Sequence, residues 1–151
     1  MREITPSLPR VLLSTISSDS HTWNLVFLQL LLEEGGNEVI NLGPCVPDEL
    51  LLESARKHEP DAIVISTVNG HGHIDGSRLI KKLRSVPGLR DVPTIIGGKL
   101  GIRGAENSMY TESLLKAGYT AVFTDSREPS LLNDRIAELV SGARQAIGAI
   151  G

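Results

Sequence analysis

Short, branched apolar runs alternate along this chain with longer amphipathic stretches. Residues 11–16 form a compact apolar run and predict a strand. Residues 23–34 are mostly straight-chain and end at Gly35-Gly36, which predicts a helix with a glycine stop. A second strand is expected at 38–42. Pro47-Asp48-Glu49 opens a helix to about His58, its acidic first turn suiting the helix dipole. Residues 62–66, Ala-Ile-Val-Ile-Ser, are apolar almost throughout, as in a strand buried on both faces. A basic amphipathic helix is expected at 77–85, a strand at 93–96, and a helix at 108–117 ended by Gly118. A fifth strand follows at 121–124. The last helix runs from Pro129 to about Gln145, with Leu131, Leu132, Ile136, Leu139 and Val140 on one face.

Strands that alternate with helices imply a parallel sheet covered on both faces. The simplest arrangement is α/β, a flavodoxin-like doubly wound five-stranded parallel sheet of order 2-1-3-4-5. There is no internal repeat, linker or low-complexity tract, so residues 1–151 read as a single domain with an ordered core at about 10–146. The first ten residues and the tail from Gly148 are expected to fray.

Composition narrows the function. The net charge is −3, with 15 basic against 18 acidic side chains, which leaves no electrostatic footprint for nucleic acid or an anionic membrane. Aromatic residues are only 3 %, so the core is aliphatic and stacking platforms for single-stranded nucleic acid are absent. A single cysteine, Cys45, cannot form an internal disulfide and fits a reducing compartment. No signal peptide or membrane-length apolar stretch is visible, which reads as cytoplasmic.

In a doubly wound sheet, ligands bind beyond the carboxyl ends of the strands where the strand order reverses, here between the first and third strands. The loops expected there are Ser17-Ser18-Asp19-Ser20-His21-Thr22-Trp23-Asn24, Ser66-Thr67-Val68-Asn69-Gly70-His71-Gly72-His73, and Gly97-Gly98-Lys99-Leu100-Gly101-Ile102-Arg103-Gly104. Three of the four histidines fall in them. Several users of this fold are excluded. The first turn has no glycine, so it is not a dinucleotide fingerprint, and no P-loop is present. A receiver domain would carry an aspartate at the end of the third strand, where this chain has Ser66. A flavin site would be expected to use aromatic stacking. Asp19-x-His21 suits a metal ligand backed by a carboxylate. Taken alone, the pair fits a helix cap followed by a solvated histidine better than a ligand.

Together, Asp19-Ser20-His21-Thr22-Trp23-Asn24, Ser66-Thr67-Val68 and Gly97-Gly98 resemble the cobalamin-binding domain signature D-x-H-x-x-G, S-x-L and G-G. Two positions differ, Asn24 for the glycine and Val68 for the leucine. Within that family the chain looks most like the small subunit of glutamate mutase (methylaspartate mutase). Asn41-Leu42-Gly43, Gly72-His73-Ile74-Asp75 and Ala117-Gly118-Tyr119 extend the likeness. The resemblance implies adenosylcobalamin as cofactor, with His21 as the lower axial ligand of cobalt and Asp19 as its partner. It implies that Ser66 bonds the buried base of the nucleotide tail, that Thr67 and Val68 line the channel, and that Gly97 and Gly98 admit the tail. Ser18, Ser20, Thr22, Lys99, Leu100 and Gly101 are further expected contacts. The activity implied is the interconversion of L-glutamate and threo-3-methylaspartate by Co–C homolysis and a deoxyadenosyl radical. A large barrel-type subunit would complete the site in a heterotetramer, and this chain alone would be inactive. The other readings are a corrinoid methyl carrier for a methyltransferase and a non-catalytic cobalamin-binding or sensing module.

The remaining candidates have blander readings. His71 and His73 lack a third ligand and suit a rim or partner surface better than a metal site. Asp75 fits helix capping or partner docking. Lys81, Lys82 and Arg84 read as a solvated helix face, and Cys45 as an incidental thiol. Trp23 is either a ligand contact or a core anchor. The first helix, apolar almost all round, is expected to be buried on more than one side, in part by a partner.

Overall fold

The computed structural model describes residues 8–17, 23–67, 72–98, 107–123 and 130–150. Its elements, in chain order, are β1 (Arg10–Thr15), α1 (Trp23–Glu34), β2 (Glu38–Asn41), α2 (Asp48–His58) and β3 (Ala62–Thr67). They continue with α3 (Gly72–Ser85), β4 (Thr94–Gly98), α4 (Asn107–Ala117), β5 (Ala121–Phe123) and α5 (Ser130–Ile150). The five strands pair in the order β2-β1-β3-β4-β5, and all pairs are parallel. The expected doubly wound architecture is therefore the one observed.

β3 is central, and all six of its residues are buried. Side chains alternate between faces along a strand, and this divides the core into two layers. Leu12, Ile63, Ile65 and Ile96 pack with Leu51, Ala55, Leu79, Ile80, Leu83 and Leu114 of α2, α3 and α4. Val11, Leu13, Val64 and Ile95 pack with Leu25, Leu32, Leu132, Ile136 and Val140 of α1 and α5. Each such burial contributes roughly 1.5–3 kcal/mol, so these two layers dominate the stability of the sheet.

Helix ends are closed by identifiable groups. Asp48 and Glu49 occupy the first turn of α2, and Arg56, Lys57 and His58 its last, both signs suiting the dipole. Glu59 adopts a left-handed conformation there and donates its N–H to the Ala55 carbonyl at 3.0 Å. The end of α1 is closed by Asn37 and Asn133, whose Nδ2 groups donate to the carbonyls of Leu32 and Leu31, each at 2.9 Å. Asn133 thereby ties α5 to α1.

Several expectations need correction. α3 begins at Gly72, not Ser77, so His73 and Asp75 lie in a helix rather than a loop. β4 continues through Gly97 and Gly98, which pair with Ser66 and Thr67 instead of opening a loop. α5 runs to Ile150, past the end expected near Gln145. Arg84 and Lys82 are not a free solvated face. Arg84 donates to the carbonyls of Gly118, Leu89 and Val92 at 3.0, 3.2 and 2.8 Å. Lys82 pairs with Asp48 and Glu49. On the outer side of α1, part of which was expected to meet a partner, Val26, Phe27 and Leu30 are 46 %, 52 % and 63 % exposed. Among the described residues, no helix is long and apolar enough to cross a membrane.

Candidate functional site

Four small or polar residues meet at the carboxyl edge of the two central strands. Ser14 and Thr15 end β1, and Ser66 and Thr67 end β3. All four are buried, at 0 %, 2 %, 2 % and 0 % exposure. Strand pairing sets Thr15 beside Ser66, Ser66 beside Gly97, and Gly97 beside Phe123. Strand alternation puts this row on the face that carries α1 and α5, because Val64 and Ile95, two residues before Ser66 and Gly97, pack there. Thr67 falls on the opposite face, paired with Gly98. A polar row under α1, at the point where the strand order reverses, is where a doubly wound sheet accepts ligands.

Gly97 has a local reason to be glycine. A Cβ there would lie 3.1 Å from the Phe123 carbonyl oxygen and 3.3 Å from its Cβ. The missing side chain lets β5 close on β4 and leaves the row narrow.

Thr15 was not singled out by the sequence, yet it joins this row. Its hydroxyl donates to the Gly43 carbonyl at 3.2 Å. Asn41 accepts from the Gly43 N–H at 2.9 Å, and its amide donates to Gln29 of α1 at 3.1 Å. Asn41-Leu42-Gly43 is thus an Asx-type turn, with Gly43 at a φ of 89° that favours glycine. It fixes the exit of β2 against β1 and α1. The alternation of β1 carries the signal for Thr15, since it continues the series Val11, Leu13 on the α1 face.

An ionic cluster lies at the same edge on the other face. The Arg78 guanidinium donates to Asp48 and to Asp75, each at 2.8 Å, and to the Ser17 hydroxyl at 3.0 Å. Lys82 adds contacts to Asp48 at 3.2 Å and Glu49 at 3.0 Å. Asp48 is 5 % exposed. Burial alone would raise its pKa, but the hydrogen bonds and charges of Arg78 and Lys82 outweigh it and hold the carboxyl below its ordinary value. The sign of the consequence follows. A depressed carboxylate pKa stabilises the fold above the unfolded value near pH ~4, and that contribution is lost as pH falls through the folded value. The partners are about two-fifths exposed, so screening keeps the contribution near 1 kcal/mol. Urea unfolding at pH 6 and pH 3 is expected to show a smaller loss on acidification for Asp48→Asn than for the wild type. An equal loss would show that Asp48 has no such role.

His73 stacks on Tyr110, with ring centroids 3.9 Å apart and an interplanar angle of 13°. The contact joins the first turns of α3 and α4. Among the described residues, no group of three or more histidine, cysteine, aspartate or glutamate side chains could hold a metal ion. A cavity of about 230 Å³ lies at the opposite edge, among Ala55, Arg56, Glu59, Pro60, Pro87, Gly88, Leu89 and Val92, and is separate from this row.

Of the expected contacts, Ser66 and Gly97 pair in the row under α1, and Thr67 and Gly98 pair next to them on the opposite face. Ser18, Asp19, Ser20, His21, Thr22, Val68, Lys99, Leu100 and Gly101 lie outside the described residues, as do His71 and the side chains of Trp23 and Asn24. The donors present fit a cobalamin nucleotide tail. Its base offers one free ring nitrogen to a hydroxyl, and its flat faces suit a row of small side chains. Asp75 lies in the first turn of α3 and pairs with Arg78 three residues on.

The comparisons with known proteins agree with this geometry. The B12 binding domain family matches residues 9–110. The glutamate mutase sigma subunit 1 of Haloarcula marismortui is 31 % identical over 123 residues, covering 81 % of this chain and 80 % of that one. The glutamate mutase sigma subunit of Clostridium cochlearium is 28 % identical, covering 80 % and 88 %. Among solved structures, a cobalamin-binding protein from Desulfitobacterium hafniense superposes with a TM-score of 0.67 at 20 % identity, covering 85 % of this chain and 59 % of that one. A response-regulator receiver domain from Francisella gives 0.68 at 21 % identity, covering 89 % and 98 %. Both structural likenesses speak for the fold alone. The chain belongs to the B12-binding domain family, among the glutamate mutase sigma subunits.

Proposed function

We propose that this chain is the cobalamin-carrying subunit of an adenosylcobalamin-dependent mutase that interconverts L-glutamate and threo-3-methylaspartate with a separate large barrel-type subunit in a heterotetramer. The observation that carries the reading is the buried row Thr15–Ser66–Gly97 at the switch point of the sheet, in a chain of this family. His21 would hold the cobalt of the cofactor, and Asp19 would accept the other ring N–H, fixing the tautomer and raising the basicity of the imidazole. Ser66 bonds the base of the nucleotide tail. Thr67 and Val68 line the channel, and Gly97 and Gly98 keep it open. Ser18, Ser20, Thr22, Lys99, Leu100 and Gly101 contribute further contacts. The bound cofactor supplies radical chemistry, while the protein supplies binding and orientation.

The substrate side of the reaction belongs to the partner, so this chain alone is expected to leave glutamate unchanged. The test mixes the chain with adenosylcobalamin and a glutamate mutase large subunit and follows glutamate by proton NMR. Formation of methylaspartate only with both subunits is the expected result. No turnover by the pair, with cobalamin demonstrably bound, would overturn the mutase assignment and favour a carrier or sensor.

A further inference from the structure

The inner side of α1 carries one residue out of keeping with its packing. Leu25 and Leu32 face the core layer under this helix. Gln29 lies four residues after the first and three before the second, on the same stripe. It is the only polar residue between positions 25 and 32. An amide turned toward an aliphatic layer needs a partner, and the partner is on the sheet. The Asn41 amide donates to Gln29 Oε1 at 3.1 Å. Asn41 ends β2 on the face that Val39 shares with α1. Its own oxygen accepts the Gly43 N–H at 2.9 Å, and the Gly43 carbonyl accepts the Thr15 hydroxyl at 3.2 Å. A chain of three hydrogen bonds therefore runs from the middle of α1, through the turn after β2, to the end of β1. Thr15, where it ends, is the first member of the buried row Thr15–Ser66–Gly97.

Among the described residues, no other side chain of α1 is hydrogen-bonded to the sheet. The rest of that contact is apolar, and apolar contact has no preferred direction, so leucine against leucine lets a helix slide or settle. A hydrogen bond has a fixed length. The bridge sets the height of α1 over the carboxyl end of β1, on the side of the row where Thr15 lies. Asn41 is its pivot, because one side chain serves both the turn and the helix.

We propose that Gln29 and Asn41 are positioning residues for the nucleotide tail of the cofactor. They hold α1 at the distance from β1 that admits the flat base of the tail beside Thr15 and Ser66. This rests on the reading of the row as the tail site. Their effect on the cofactor runs through α1 and the Thr15 end of the row.

The test compares two probes, hydroxocobalamin, which has the nucleotide tail, and diaquacobinamide, which lacks it. Each is titrated by absorption into the wild-type chain, Gln29→Met, Gln29→Glu and Asn41→Ser, with thermal unfolding of each protein. Methionine keeps the length of the side chain and removes the acceptor. Glutamate keeps the acceptor. Serine keeps an acceptor for the Gly43 N–H and is too short to reach Gln29. The wild type is expected to bind hydroxocobalamin more tightly than diaquacobinamide. Gln29→Met and Asn41→Ser are each expected to weaken hydroxocobalamin about 3- to 10-fold, the order of one hydrogen bond, and to leave diaquacobinamide within about 2-fold of wild type. Their melting temperatures should stay within about 4 °C of wild type. Gln29→Glu is expected to bind both probes as the wild type does. Equal weakening of both probes would make the bridge merely structural and overturn the proposal. So would wild-type affinity for hydroxocobalamin in both Gln29→Met and Asn41→Ser, or a Gln29→Glu as weak as Gln29→Met. In those cases a wild-type preference for hydroxocobalamin still upholds the tail site, and the positioning role falls alone. If the wild type binds the two probes equally, the tail site falls, and the positioning role with it.

Discussion

Arg84→Met is expected to lower the unfolding free energy by about 3 kcal/mol and the melting temperature by roughly 6–12 °C. Arg84 sits near the end of α3, and its guanidinium donates to three backbone carbonyls, those of Gly118, Leu89 and Val92. It also reaches the Thr120 hydroxyl at 3.5 Å, which in turn accepts the Thr94 N–H at 3.0 Å. One side chain thus closes the end of α4, the connection between α3 and β4, and the start of β4. Burial pushes its pKa down, while the charge of Asp91 opposes this. The cation persists because an arginine stays protonated far above neutral pH. Methionine keeps much of the packing and strands the carbonyls, at about 1 kcal/mol each. Arg84→Lys should recover less than half of the loss, since one ammonium cannot reach all three. Lys81→Met, at an exposed position on the same helix, is the control and should change little. Urea denaturation decides, and a loss below about 1 kcal/mol for Arg84→Met would show that water satisfies those carbonyls.

His21→Ala is expected to weaken cobalamin binding by 100-fold or more. Loss of an outer partner of a metal-ligating histidine commonly costs about 10–100-fold, and removal of the ligand itself should cost at least the upper end of that range. Asp19→Asn then serves as the graded comparison. It keeps the imidazole but weakens the acceptor behind it, so its loss should fall between wild type and His21→Ala. His73, which lies within the described residues, is engaged in a stack with Tyr110 between α3 and α4. Its replacement should leave the cobalt spectrum unchanged. An equal effect of His21→Ala and His73→Ala would argue against a single axial histidine.

Much of the fold was legible because its signals are local. β3 reads as a two-sided buried strand from Ala-Ile-Val-Ile-Ser alone, and every one of its positions is buried. The helix stops at Gly35-Gly36 and Gly118 were visible for the same reason. The misreadings share a different cause, which is tertiary contact. The start of α3 carries Gly72 and Gly76, poor helix formers that pointed to a loop. In the fold, Gly76 is where α3 meets its neighbours. Tyr119 donates its buried hydroxyl to the Gly76 carbonyl at 2.8 Å, and a Cβ at Gly76 would come within 2.6 Å of the Ile96 Cδ1. Gly97-Gly98 likewise looked like a loop, yet pairing with Ser66 and Thr67 holds both residues in β4. Arg84 looked solvated because its acceptors are carbonyls up to thirty-four residues away, which no charge pattern reveals.

The candidate site was legible in a different way. Ser66 and Gly97 came from a motif, and the sheet sets them side by side. Thr15 has no motif to flag it; the alternation of β1 gives its face, and strand register sets it beside Ser66. The first helix was read as buried partly by the core and partly by a partner, and in the single chain Leu25 and Leu32 are buried while Phe27 and Leu30 are exposed. An apolar period alone cannot say whether a face meets its own core or water. Ser17 and Arg78 are sixty-one residues apart, so their contact is a product of topology and not of sequence pattern.

The most direct test is absorption titration of the purified chain with hydroxocobalamin, run in parallel on His21→Ala. The predicted result is a saturable spectral change in the wild type, marking replacement of the cofactor's own base by a protein imidazole, and its loss in His21→Ala with the melting temperature of the free protein preserved. No spectral change in the wild type, or the same change in the His21→Ala variant, would contradict a cobalamin carrier that binds through His21.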